Sequence, residues 1–136
     1  MNDVELFRLI GSIARKATRE VNQEVKPYKL DNNLFLYLLR IMENPGITQR
    51  ELIEIVQVDK TTMSKALKKL IEQGYIKKEV NHENKNFKKL LPNEKAYAIK
   101  QQLINIEENY VKQETDALSS DEKQLLYQLL LKIKDE

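Results

Sequence analysis

Two helix-start signals that lie close together constrain the fold of this chain more than any other feature. Thr48 and Glu51 have the spacing of a capping box, in which each side chain accepts a hydrogen bond from the backbone amide of the other residue. Asp59 is a typical N-cap for a second helix, and Gly74 can supply the left-handed residue that ends that helix. A short helix, a tight turn and a longer helix predict a helix-turn-helix over about residues 48–74.

The second helix of this unit has two unlike faces. Met63, Ala66, Leu67 and Leu70 recur at helical spacing on the apolar side. The opposite side carries hydroxyl groups at its N-terminal end and lysines further along. A helix that enters the DNA major groove needs this order, because its first residues meet base edges while lysines reach phosphates. Considered alone, an ordinary surface helix with solvated lysines explains the same pattern equally well.

A basic hairpin is predicted immediately after this helix. Two β-like runs, 75–80 and 87–91, flank an asparagine-rich stretch. Neither Asn-Gly nor Asp-Gly occurs there, so we expect a loop longer than two residues. Lys85 and Lys88 would place positive charge at and near the tip of the hairpin. A hairpin of this kind after a helix-turn-helix is typical of the winged helix.

Positive charge is concentrated on this part of the chain. Residues 60–89 contain nine lysines and three acidic residues, a net charge of +6, whereas the whole chain carries only +2. The remaining residues therefore sum to −4. Such segregation is typical of nucleic-acid-binding proteins, although chance or a need for solubility could also produce it.

These patterns assign a set of residues to a DNA contact. Base edges would be met by Thr61, Thr62, Ser64 and Lys65. Phosphates would be held by Lys68, Lys69 and the hairpin lysines. The start of the preceding helix would add further phosphate contacts, since backbone amides there attract anions. The predicted DNA-contacting residues are Gln49, Arg50, Lys60, Thr61, Thr62, Ser64, Lys65, Lys68, Lys69, Lys85 and Lys88.

Two segments of the sequence resemble the recognition-helix region of the MarR (multiple antibiotic resistance regulator) family. They are residues 58–65, Val-Asp-Lys-Thr-Thr-Met-Ser-Lys, and residues 70–76, Leu-Ile-Glu-Gln-Gly-Tyr-Ile. The order of the predicted elements agrees with that family along the whole chain, and the specific motif is confined to about residues 47–96. Residues 93–96, Asn-Glu-Lys-Ala, depart from the Thr-Glu-Lys-Gly that is frequent in the family.

The tip of the hairpin departs from the family in a second way. Asn84 and Asn86 stand where the family often has an Asp-x-Arg pair, whose arginine enters the minor groove. This difference puts the usual minor-groove contact of the hairpin in question. Lys85 or Lys88 could replace it as a point charge, but without the planar fork of an arginine.

The resemblance implies a mainly α fold, a winged helix-turn-helix with N- and C-terminal dimerisation helices. It also implies a prokaryotic, cytoplasmic transcriptional regulator that binds a pseudo-palindromic operator in double-stranded DNA as a homodimer, most often as a repressor. A small aromatic or anionic effector would bind between the dimer helices and the DNA lobes. The implied single domain, 1–136, divides into a dimerisation helix (1–29), a winged helix-turn-helix (31–91, with its wing at 75–91) and two C-terminal dimerisation helices (93–136).

The helices that flank the winged helix are predicted from apolar periodicity and caps. The first covers residues 4–25, the second begins at Asp31 as its N-cap and ends near Glu43, and a long helix runs from 93 to about Ala117. The second helix is apolar almost all round, which predicts a central position. A capping box formed by Ser119 and Glu122 starts the last helix.

Surplus apolar stripes occur at both ends of the chain. Residues from 96 onward carry five basic and eight acidic groups, which makes them poor candidates for a DNA contact. The stripe of the first helix fits an intramolecular core as well as it fits a second subunit. The residues predicted at a dimer interface are Leu6, Phe7, Ile10, Tyr110, Leu118, Leu126, Leu129, Leu130 and Ile133.

Motifs for catalysis and for metal binding are missing from the sequence. There is no cysteine, which excludes disulfides and thiolate chemistry, and the lone histidine, His82, falls in the predicted wing loop. We therefore predict no catalytic residue, no metal site and no cofactor, and we see no secretory signal or membrane span. Tyr28 and Tyr37 could line a ligand pocket, although core packing explains them better. The rival to a DNA-binding regulator is a winged-helix module that docks a protein.

Overall fold

Six α-helices and a β-hairpin make up the part of the chain that the computed structural model describes, residues 1–84 and 87–135. In chain order these elements are α1 (Asp3–Glu24), a 3₁₀ turn (Lys26–Tyr28), α2 (Leu34–Glu43), α3 (Gln49–Val56), α4 (Lys60–Glu72), β1 (Ile76–Val80), β2 (Lys88–Pro92), α5 (Glu94–Glu114) and α6 (Ser120–Lys134). The two strands are antiparallel neighbours. The predicted mainly α winged helix-turn-helix is confirmed.

Three of the caps that were read from the sequence, Thr48, Asp59 and Ser119, start their helices where they were predicted. The Thr48 hydroxyl accepts from the Glu51 amide at 3.2 Å, and the Thr48 amide donates to the Glu51 carboxylate at 3.0 Å. Ser119 and Glu122 form the same reciprocal pair at the start of α6. Each box satisfies two backbone donors that a helix start leaves without partners.

The predicted N-cap of α2 was wrong. Asn33, rather than Asp31, precedes the helix, and both Asn32 and Asn33 have left-handed backbones with φ of 59° and 66°. The Asn33 amide donates to Oδ1 of Asn22 at 3.0 Å, and Nδ2 of Asn22 donates back to Oδ1 of Asn33 at 3.2 Å. Asparagine tolerates this conformation, and the paired amides fix the start of α2 against α1.

Helix α2 lies at the centre of the core, as its apolar sequence predicted. It contacts α3, α4, α5 and β2. This position explains the absence of a polar face, since a helix surrounded by other elements has no side exposed to water. Its buried residues are Leu34, Phe35, Tyr37, Leu38, Leu39, Ile41 and Met42.

Among their described residues, the terminal helices α1 and α6 contribute no fully buried residue to this core. Helix α5 ends at Glu114, three residues before the predicted end at Ala117. An ion pair of 3.2 Å between Lys16 of α1 and Glu114 of α5 joins the two long helices. Across the described ranges, no helix has both the length and the hydropathy that a membrane span requires.

Candidate nucleic-acid interface

The turn of the helix-turn-helix is fixed by local hydrogen bonds. Gln57 ends α3 in a left-handed conformation with φ of 58°, which turns the chain toward Asp59. The Asp59 carboxylate then accepts from the Thr62 amide at 2.7 Å and from the Thr62 hydroxyl at 2.9 Å. The hydrogen bond from the Thr62 amide lowers the pKa of the Asp59 carboxyl below its usual 3.8. The start of α4 is therefore set by a charged cap.

Helix α4 has the buried and exposed faces that its sequence predicted. Met63, Ala66, Leu67 and Leu70 are buried against the core. Every α4 residue that was assigned to DNA is exposed. Those exposed residues are Lys60, Thr61, Thr62, Ser64, Lys65, Lys68 and Lys69.

The β-hairpin is attached to the start of the helix-turn-helix. Its strands pair from Ile76 opposite Pro92 to Val80 opposite Lys88. The Leu90 carbonyl oxygen accepts from the amide of Gly46 at 2.8 Å, and the Leu90 amide donates to the Ile47 carbonyl oxygen at 2.9 Å. These two hydrogen bonds pair β2 with the residues directly before α3. The hairpin is therefore held to the segment that leads into α3.

A groove of about 470 Å³ separates the hairpin from the two helices of the helix-turn-helix. Five of the predicted DNA-contacting residues line it: Gln49, Arg50, Lys60, Ser64 and Lys88. Lys78 and Phe87 line it as well, and sequence reasoning missed both. Strand alternation could have identified Lys78, which pairs with Leu90 two residues from Lys88, but not Phe87, which precedes β2.

Other predicted residues lie on the opposite flank of α4. Thr62, Lys65 and Lys69 line a second hollow, together with Tyr37 of α2. Thr61 and Lys68 are exposed and line neither hollow. The predicted set therefore surrounds the outer half of α4 and does not converge on one point. Lys85 lies outside the described residues.

The C-terminal end of α4 is held by residues from distant elements. Nζ of Lys95 in α5 donates to the carbonyl oxygen of Gln73 at 2.6 Å and lies 4.4 Å from the centre of the Tyr75 ring. The Tyr75 hydroxyl donates to the carbonyl oxygen of Tyr28 at 2.6 Å, and burial raises the pKa of Tyr75. These contacts join the end of α4 to α5 and to the segment after α1.

The predicted dimer residues form exposed apolar surface on the terminal helices. Six of them, all on α1 or α6, are exposed: Leu6, Phe7, Leu126, Leu129, Leu130 and Ile133. The other three, Ile10, Tyr110 and Leu118, are half-buried. Phe7 leaves 64% of its surface in solvent. So many large apolar side chains in solvent along two helices are typical of an interaction surface.

An apolar hollow of about 210 Å³ lies between α1, α2 and α5. Phe35, Tyr110 and Val111 are among its lining residues. Neither of the two tyrosines that were predicted to line a ligand pocket lines this hollow. Tyr37 is only 1% exposed within the core, and Tyr28 packs against the core beside Tyr75.

Comparison with known proteins gives consistent results. A sequence model of the MarR family matches residues 30–85. The chain is 40% identical over 134 residues to the uncharacterized HTH-type transcriptional regulator YybA of Bacillus subtilis (strain 168), covering 98% of this chain and 88% of the relative.

Two solved structures that contain DNA are similar to this chain. A putative MarR family transcriptional regulator from Listeria monocytogenes, complexed with 26mer DNA, has a TM-score of 0.93 and 36% sequence identity, covering 99% of this chain and 89% of that chain. A mutant MarR from E. coli, complexed with operator DNA, has a TM-score of 0.85 and 25% identity, covering 96% of this chain and 94% of that chain.

Proposed function

Because this chain belongs to the MarR family of transcriptional regulators, and is therefore a regulator rather than an enzyme, we propose that it controls transcription by binding double-stranded DNA. The observation that carries the proposal is the exposed face of α4 beside a basic hairpin. Helix α4 enters the major groove, and the hairpin follows the adjacent backbone. The relative that was solved with 26mer DNA, at 36% identity, supports this assignment.

The exposed residues of α4 divide into two roles. Thr61, Thr62 and Ser64 lie near the N-terminal end of the helix, where side chains reach base edges. Lys68 and Lys69 lie one to two turns further along and hold phosphates. Neutralised phosphates release counterions, so affinity should fall steeply as salt rises.

The active form is a homodimer that reads a pseudo-palindromic operator in the cytoplasm. The exposed apolar faces of α1 and α6 support a second copy as the partner, since burying them removes apolar surface from water. Two symmetric recognition helices would then contact half-sites about one helical turn apart. A dimer seated on such a site can exclude polymerase from a promoter, and we propose that the protein acts as a repressor.

A binding assay with labelled duplexes tests the central proposal. The full-length protein should bind random duplex DNA in dilute buffer, and moderate salt should weaken that binding by orders of magnitude. Its rival, a winged-helix module that docks a protein, predicts no duplex affinity at either salt concentration. Absence of binding in dilute buffer would therefore favour the rival.

We also propose that a small aromatic acid releases the DNA. The hollow between α1, α2 and α5 supports this, because it is apolar and joins dimer helices to the DNA-binding part. A screen of aromatic acids by thermal shift should find a compound that raises the melting temperature and also lowers DNA affinity. The variant Ala17→Phe, which fills the hollow, should lose both effects. A compound that stabilises the protein and leaves DNA affinity unchanged would contradict this mechanism.

A further inference from the structure

One hydrogen bond joins the two helices of the helix-turn-helix on the side that faces the groove. Nε2 of Gln49, the first residue of α3, donates to Oγ of Ser64 in α4 at 2.9 Å. Both side chains line the groove between α3, α4 and the hairpin. A serine hydroxyl has one proton to donate and two lone pairs that accept. The bond from Gln49 uses one lone pair and leaves the proton and the second lone pair of Ser64 available.

Two other hydroxyls of the chain donate their proton to a backbone carbonyl oxygen four residues earlier. Thr18 donates to the carbonyl oxygen of Ala14 at 3.0 Å, and Thr115 donates to that of Val111 at 2.8 Å. Ser64 has no such bond to a residue within the described ranges, and it is exposed. Its proton is therefore directed toward solvent on the face that would meet DNA.

Thr62, two residues earlier in α4, has the opposite arrangement. Its hydroxyl donates to Oδ2 of Asp59 at 2.9 Å, so its proton is already used by the helix cap. Only the lone pairs and the methyl group of Thr62 remain for an external partner. Two hydroxyl groups on one helix thus differ in what they can offer, and in each case a neighbouring side chain determines the difference.

We propose that Gln49 is a positioning residue that fixes Ser64 as a hydrogen-bond donor to DNA. In the major groove guanine presents the acceptors O6 and N7, thymine presents O4, adenine presents N7 beside its N6 donor, and cytosine presents only the N4 donor. The base that Ser64 contacts is therefore one that presents an acceptor (guanine, thymine or adenine) in preference to cytosine. This inference rests on the proposed DNA-binding function and adds the base class that one side chain selects.

The geometry holds Gln49 in place for this role. It directly follows the capping box of Thr48 and Glu51, which sets where α3 begins. The residue before that box, Ile47, is paired with Leu90 of the hairpin. Because the backbone on which Gln49 sits is fixed from two sides, its side chain can orient Ser64 before DNA arrives.

Reversing the polarity of residue 49 provides the test. A carboxylate can only accept, so in Gln49→Glu the Ser64 hydroxyl must donate to it and present a lone pair to the DNA. We would select binding sites from a randomised duplex library and then compete single-base variants of the selected site. The unaltered protein should prefer guanine, thymine or adenine over cytosine at one position, and Gln49→Glu should prefer cytosine there. Each preference should be about threefold to tenfold, the range of one neutral hydrogen bond.

Three further variants separate the roles of the two side chains. Ser64→Ala should lose the preference at that position and keep the rest of the site. The double variant Gln49→Glu with Ser64→Ala should also show no preference there, because the carboxylate acts through Ser64. Gln49→Met, which adds no charge, should relax the preference without reversing it, and it covers the case in which Gln49→Glu repels DNA too strongly for selection.

Three results would overturn the inference. They are an unchanged preference in both residue-49 variants, a cytosine preference that survives in the double variant, and a cytosine preference in the unaltered protein. If the unaltered protein selects no site and binds no duplex, the proposed function itself fails, and that outcome is distinguishable because it appears before any variant is made.

Discussion

Lys95, in the first turn of α5, donates a hydrogen bond of 2.6 Å to the backbone carbonyl oxygen of Gln73, the residue that ends the recognition helix α4. A cation at this position interacts favourably with the negative end of the helix dipole. Asn93 adds a second bond, from Nδ2 to the carbonyl oxygen of Gly74 at 3.1 Å. The recognition helix is therefore attached at its C-terminal end to the long helix that leads to the end of the chain.

Replacing Lys95 should weaken this attachment. Lys95→Met removes the bond to Gln73 and the contact with the Tyr75 ring, and it should lower the free energy of unfolding by about 0.5–1 kcal/mol. Urea denaturation measures this change. Lys100→Met is the matched control on the same helix and should be near neutral, because among the described residues Lys100 bonds to no carbonyl oxygen and its Nζ lies 6.0 Å from the centre of the Tyr97 ring. Equal effects of the two variants would show that the contact adds nothing to stability.

Lysines and hydroxyls of α4 should affect DNA binding differently. Lys68→Ala should weaken binding to operator and to scrambled duplex about equally and reduce the salt slope by about one unit, because one phosphate contact is lost. Thr62→Ala should weaken operator binding more than scrambled binding. Competition titrations at several salt concentrations measure both, with Lys112→Ala on α5 as a charge-matched control. Identical profiles for Lys68→Ala and Thr62→Ala would contradict the assigned roles.

The helix caps should make stability sensitive to acid. Bonds from the amides of Thr62, Thr48 and Ser119 lower the pKa values of Asp59, Glu51 and Glu122 respectively. A carboxyl with a lowered pKa in the folded state contributes stability above its unfolded pKa, and that contribution is lost as pH falls through the lowered value. The melting temperature should therefore decrease once the pH is lowered below about 4.5.

Asp59→Asn isolates one of these caps. Asparagine is an equally good N-cap but does not titrate, so the variant should lose less of its melting temperature between about pH 5 and about pH 3. Asp116→Asn removes a carboxyl that caps no helix and should follow the unaltered protein. Parallel curves for all three proteins would mean that Asp59 contributes nothing to the acid response.

A charge on the exposed face of α6 should separate the proposed dimer. Leu129 is 46% exposed in the single chain, so Leu129→Glu costs the monomer little and places a carboxylate in the apolar interface. Light scattering after size exclusion should give the monomer mass, and DNA affinity should fall at least about a hundredfold through lost bivalency. Ile55 of α3 is also 46% exposed, and the control variant Ile55→Glu should keep the mass of a dimer in the same measurement.

Features that depend on neighbours in the sequence were predictable. The capping residues Thr48, Asp59 and Ser119 signal the starts of three helices because capping involves residues only three apart. The central position of α2 followed from its composition, since few residues in it suit contact with water. The residues exposed on α4 followed from helical periodicity for the same local reason.

Contacts between distant residues could not be predicted in this way. The Asn22–Asn33 pair, which places the start of α2 two residues later than the cap rule does, needs the fold to bring two amides together. The bond between Lys95 and Gln73 also depends on the fold. The groove contact between Gln49 and Ser64 crosses fifteen positions, and neither residue signals the other.

Helix α6 buries none of its described residues within its own chain, and this has a consequence for the cell. A helix of fifteen residues is marginal in water without packing, even with a good cap. In the proposed homodimer a second copy covers α6, so the order of this helix would depend on how much of the protein is present. In a newly synthesised chain α6 would be poorly ordered until a dimer formed. At low abundance the concentration of dimers would fall faster than the concentration of chains.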